Sequence, residues 1–144
     1  MEAATQMQAT IQTAPHSKKW VWAGRIISAL PVLGLLFSGA MKLVKPVAVV
    51  EEMTRLGYDE RLASGLGLLE IACTVIYAIP RTSVLGAILL TGYLGGAIAT
   101  HLRVGDPFFA PIVLGGLVWL GIFLRDGRLR ALIPWRRHSP SAYL

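Results

Sequence analysis

The stretch TSVLGAILLTGYLGGAIATHLRVGDPFFAPIVLGGLVWLGIFL, residues 82–124, decides how this chain must fold. It holds two uncharged runs, 82–100 and 107–124, parted by a short segment where His101, Arg103 and Asp106 crowd together. Roughly 20 residues rising ~1.5 Å each cross ~30 Å of hydrocarbon, and in lipid a helix satisfies its own backbone polar groups. Two such runs with so few polar residues between them read as a helical hairpin through a bilayer. The three ionisable side chains then stand where the chain leaves the membrane and returns.

Working outward, residues 26–41 carry no charge and 62–80 carry only Glu70. This gives four spans, at about 20–43, 61–80, 82–102 and 107–125. Composition agrees: 15% of the residues are charged and 54% hydrophobic, with a mean hydropathy of +0.58. A soluble domain carries about 25% charged residues. The predicted fold is therefore an all-α membrane protein, an up-down-up-down bundle of four transmembrane helices, because links this short force neighbouring helices to run antiparallel. The expected organisation is a mobile polar tail over 1–19, the four-helix domain over 20–125 and a basic cytoplasmic tail over 126–144.

The net charge of +6 does not point to nucleic acid, because its placement matches a membrane pattern. Lys18 and Lys19 precede the first span, and Arg125, Arg128, Arg130, Arg136 and Arg137 come after the last. The 44–61 connection mixes Lys45, Arg55 and Arg61 with Glu51, Glu52, Asp59 and Glu60. The positive-inside rule then puts both termini in the cytoplasm of a cell with the protein in its inner membrane, and 44–61 outside. The first 17 residues lack the basic start and short apolar core of a signal peptide. In the C-terminal stretch, Leu129, Leu132 and Ile133 are expected to dip toward lipid while Arg128, Arg136 and Arg137 meet anionic headgroups.

Within 44–61, Pro46 is a natural first helical residue, and Val47, Val50, Met53 and Leu56 recur at helical spacing. Glu51 and Arg55 are i,i+4 partners, Gly57 is a stop and Asp59 a cap for the next helix. A short interfacial helix is expected there. In the third span, Gly92 and Gly96 form a small-xxx-small pair, which reads as a helix-packing face, with homodimerisation as the alternative use.

An intramembrane carboxylate costs about 2.5 kcal/mol or more to insert, so it normally faces the bundle and has a partner. Glu70 lies about nine residues from the outer start of its span, roughly 13 Å deep. Tyr93 lies at about the same depth on the next helix, placing its hydroxyl within reach of the acid. Desolvation at such depth is expected to keep the acid protonated and neutral. Stripes of small or polar residues on three spans point the same way: Ser38 and Lys42 on the first, Gly67, Glu70, Thr74 and Tyr77 on the second, Tyr93, Ala97, Thr100 and His101 on the third. Turned inward they make a cleft with Glu70 and Tyr93 as its floor and Lys42, His101, Arg103 and Asp106 as its outer mouth. Plainer alternatives are a headgroup-seeking Lys42, a wet turn in which Asp106 caps the fourth helix, and a purely structural Glu70.

Bis-histidine haem is excluded, since only His101 lies near the bilayer. No His, Cys or Glu spacing matches a zinc or di-iron site, so no metal is expected. The single cysteine, Cys73, cannot run dithiol exchange alone.

Three segments together, RIISALPVLGLLFSGAMKL, LGYDERLASGLGLLEIACTVIYAIP and TGYLGGAIATHLRVGDP, resemble the DoxX-like family of small bacterial four-helix membrane proteins. The likeness covers about residues 22–125 and leaves out both tails. The family takes its name from a subunit of a membrane quinol-oxidising complex linked to thiosulfate oxidation, and most members have no assigned reaction. The resemblance points to Lys42, Glu70 and His101, and it implies an accessory, redox-associated subunit rather than an enzyme acting as an isolated chain. On that footing the expected ligand is a small lipophilic molecule such as a quinone, held in an outward-facing cleft. The expected partners are the bilayer, an oxidoreductase subunit or a second copy of the chain, and not nucleic acid. Two other classes compete: a small-molecule or proton transporter using Glu70, and a structural membrane subunit without its own ligand.

Overall fold

A computed structural model describes residues 18–127 and Leu129. Five helices account for most of them: α1 (Lys18–Val44), α2 (Val47–Arg55), α3 (Glu60–Ala78), α4 (Ser83–Val104) and α5 (Phe109–Arg125). Helices α1, α3 and α4 are long and apolar enough to cross a membrane. Helix α5 is as apolar but has 17 residues, or ~25 Å. Most of the first-tail reading and of the lipid-dipping C-terminal reading falls outside the described residues.

Helix α1 packs against α3 and α5, and α4 packs against α3 and α5 in turn. Glycines set how closely. A Cβ at Gly39 would meet the Gly67 carbonyl at 3.0 Å, and one at Gly67 would meet the Gly39 carbonyl at 2.7 Å and Lys42 Cβ at 2.9 Å. The bare backbones of α1 and α3 therefore lie against each other one turn from Lys42 and Glu70. Gly86 does the same for α3 and α4, where any Cβ would run into the backbone of Tyr77.

Gly92 and Gly96 play no such part. A Cβ at either would meet nothing within 4 Å, so no packing face forms there among the described residues. Small residues permit close approach only where a neighbouring helix lies opposite, and here α4 faces a cavity instead.

At the Arg125 end all four long helices meet on Tyr77, which has no exposed surface. Its hydroxyl donates to the Val118 carbonyl at 2.9 Å and lies 3.1 Å from Ser28 Oγ. The Arg125 guanidinium donates to the Tyr77 carbonyl and sits 5.1 Å from its ring centre. Leu35, Leu90, Leu94, Val118 and Ile122 fill the core around it. A buried phenol is stable only when its hydroxyl is satisfied, and here that need ties three helices together.

The opposite end is built differently. Helix α1 stops at Lys45, whose φ of 53° is left-handed, and Pro46 comes next with no amide to continue the ladder. The chain folds over as α2, laying Met53 and Leu56 against Ala63 at the start of α3. Gly57, at φ 77°, ends that segment, and Asp59 Oδ1 accepts from the Arg61 amide to cap α3. Both are as the sequence pattern predicts. Asp106, in contrast, does not cap α5, whose capping position is Phe108 with no side-chain bond.

Candidate functional site

Three helices bring four polar side chains to one point. Glu70, 2% exposed on α3, accepts through Oε2 from Lys42 Nζ at 2.8 Å, from the Tyr93 hydroxyl at 3.0 Å and from Ser38 Oγ at 3.3 Å. Lys42 Nζ also donates to Ser38 Oγ at 2.6 Å. Ser38 and Lys42 are one turn apart on α1, so they share a face, and the glycine contact holds that face against α3. Glu70 and Tyr93 meet because α3 and α4 form a hairpin with a short link.

The presence of Lys42 changes the character of the acid. Lys42 Nζ at hydrogen-bonding distance gives Glu70 a basic partner that depth alone does not predict. Nor does the lysine turn away to the headgroups, since its four-carbon stem reaches back over the Gly39–Gly67 contact. Buried pairs of this kind need further hydrogen bonds to offset desolvation, and Ser38 and Tyr93 supply them.

This cluster lies in the wall of a cavity of about 640 Å³. Leu35 and Met41 of α1, Leu66 of α3, Leu94 and Ala97 of α4 and Leu114 of α5 make its lining mostly apolar. Its α2 end is bounded by Met53, Leu56, Tyr58 and Thr100. Gly92 and Gly96 also border it, which is the role they take in place of packing.

Of the four residues expected at the mouth, Lys42 lines the cavity. His101, Arg103 and Asp106 do not line the cavity. Arg103 and Asp106 hold α2 down instead. Arg55 Nη1 donates to Asp106 Oδ1 at 3.0 Å, and Arg103 Nη2 donates to the Leu56 carbonyl at 2.5 Å, next to the left-handed Gly57. Arg55 thus bridges to the α4–α5 loop, not to Glu51 a turn away. A third tie, between the Tyr58 hydroxyl and Thr100 Oγ1 at 2.7 Å, closes the same seam. His101 Nδ1 faces Asp106 Oδ2 at 3.9 Å, and neither atom has a hydrogen-bond partner among the described residues. The signal that could have placed these residues was the apolar stripe of α2. A helix that buries Met53 and Leu56 must lie on the bundle, and its polar edge then meets the nearest loop.

Among the described residues no three His, Cys, Asp or Glu side chains gather as a metal site requires. Cys73 is a free, buried thiol.

With the three-helix cluster around Glu70 in place, one comparison decides the family. A family model described as the DoxX-like family matches residues 26–122. The chain belongs to the DoxX-like family. The match begins within α1 and ends within α5, so it takes in all the helices that build the cavity. No curated protein and no solved structure matches it. This DoxX-like chain, with its long apolar helices, is a membrane protein.

Proposed function

We propose that this DoxX-like protein is a four-span, up-down-up-down inner-membrane protein that binds a small lipophilic molecule in the cavity between its helices, as accessory to an oxidoreductase subunit. One observation carries the reading: a part-buried group of hydrogen-bonding side chains around the buried Glu70 stands in the wall of a mostly apolar cavity. Ligand sites have that composition, apolar walls with a few convergent polar groups, and volumes of about 300–1,000 Å³. A quinone, the ligand type the family resemblance implies, offers a flat apolar ring and a carbonyl oxygen for the remaining N–H of Lys42 to meet.

The test uses the full-length chain in lipid nanodiscs with decylubiquinone as the probe. Saturable binding is expected, weakened at least about tenfold by Gly96→Leu, which adds an apolar side chain to the lining where a Cβ meets no other atom. No saturable binding, or binding that Gly96→Leu leaves unchanged, rejects the cavity as the site. Proton flux in liposomes that is lost in Glu70→Gln would then favour the transport reading. Assembly defects alone would favour the structural one.

In this reading α5 is the fourth span, and the Lys/Arg asymmetry puts both termini in the cytoplasm with the α2 end and the cavity facing outward. Alkaline phosphatase fused after Leu144 is expected to be inactive, and fused within 44–61 to be active. The reverse pattern refutes the orientation.

A further inference from the structure

Among the described residues three donors converge on Glu70, and all three choose the same oxygen. Lys42 Nζ, the Tyr93 hydroxyl and Ser38 Oγ lie on Oε2, and none reaches Oε1. A carboxylate carries about four acceptor positions over its two oxygens, so half of its capacity is left over. The lysine is likewise unfinished: an ammonium has three N–H groups, and two are committed, to Ser38 Oγ and to Glu70 Oε2. Both residues line the cavity. Its polar end therefore presents a charged acceptor and a charged donor side by side, in surroundings that are otherwise mostly apolar.

We propose that this site selects lipophiles that end in a hydroxyl group, an alcohol or a phenol, over those of similar shape that end in a carbonyl or an ether. The inference rests on the cavity being a ligand site, as proposed above, and specifies what that site prefers. A hydroxyl donates to Glu70 Oε1 and accepts from Lys42 through the same oxygen. A carbonyl or ether oxygen answers only the lysine and buries Oε1 against apolar surface with no donor. A carboxylate end meets the repulsion of Glu70, and an ammonium end that of Lys42. Leaving a buried charged acceptor unpaired corresponds to a loss of about 10- to 100-fold in affinity.

Three probes of one chain length decide it: 4-decylphenol, 4-decylanisole and 4-decylacetophenone, each titrated against the full-length protein in nanodiscs with empty nanodiscs subtracted. The phenol is expected to bind at least about tenfold more tightly than either of the others. Glu70→Gln gives the internal check. The three donors on Oε2 orient the amide with its oxygen toward them, which puts an NH2 group where Oε1 stood. The preference is then expected to invert toward the acetophenone. Equal binding of the three probes to the native protein overturns the hydroxyl preference and leaves the cavity reading in place. A phenol preference that survives Glu70→Gln unchanged also overturns it. If none of the probes, nor decylubiquinone, binds saturably, the cavity reading itself fails and the preference with it.

Discussion

Glu70→Leu is expected to lower the stability of the folded protein by about 3 kcal/mol, and Lys42→Met in the same chain to recover most of that loss. Leucine removes the carboxylate that three donors share. It leaves the ammonium of Lys42, whose side chain is 17% exposed, without a counter-charge beside apolar neighbours. Taking away one partner of such a pair is far more damaging than replacing both with apolar groups of similar size. Glu70→Gln is expected to lie between, at about 1–2 kcal/mol, since the amide oxygen still accepts from Tyr93 and Ser38 but has lost its charge. Equilibrium unfolding in mixed micelles, run on both single variants and the double variant, measures the coupling directly. A Glu70→Leu protein as stable as the native one, or effects of the two substitutions that simply add, would show that the ion pair does not hold α1 to α3.

Gly86→Ala should be the most damaging single methyl in the chain, and Gly95→Ala among the most benign. The added Cβ at Gly86 would fall on the N and Cα atoms of Tyr77, and backbone cannot rotate out of the way as a side-chain tip can. Helices α3 and α4 must separate, which strains the bonds from Tyr77 to Ser28 and Val118 that hold the closed end. Overpacking of this kind typically amounts to about 1–3 kcal/mol, and the rigid obstacle puts Gly86→Ala at or above the upper figure. At Gly95 the same methyl meets nothing, and alanine's higher helix propensity favours it by up to about 1 kcal/mol. Thermal unfolding of the two variants side by side reads the difference. Equal shifts would mean that the approach of α3 to α4 is not limited at Gly86.

By itself the sequence determined the features that depend on local pattern and depth. Uncharged runs set where the long helices lie, because backbone groups in an apolar setting have only each other to bond with. The helical stripe through Met53 and Leu56, with Gly57 and Asp59 after it, determined the short α2. Counting residues from the end of each run put Glu70 and Tyr93 at one level, since the rise per residue is constant along a helix, and they meet at 3.0 Å. Tertiary structure alone decided which partner each long or small residue found. The lysine stem of Lys42 is long enough for headgroups or for Glu70, and the Gly39–Gly67 contact settled the choice. Gly86 and Gly92 look alike in sequence, but one has Tyr77 opposite it and the other a cavity. His101, Arg103 and Asp106 follow Thr100, which lines the cavity, yet the position of α2 over the bundle drew Arg103 and Asp106 into holding it, because the nearest element takes up the donors and acceptors at a helix end. Rise and periodicity are properties of one helix and can be read along a chain; the rotation of one helix against the next comes from packing between them.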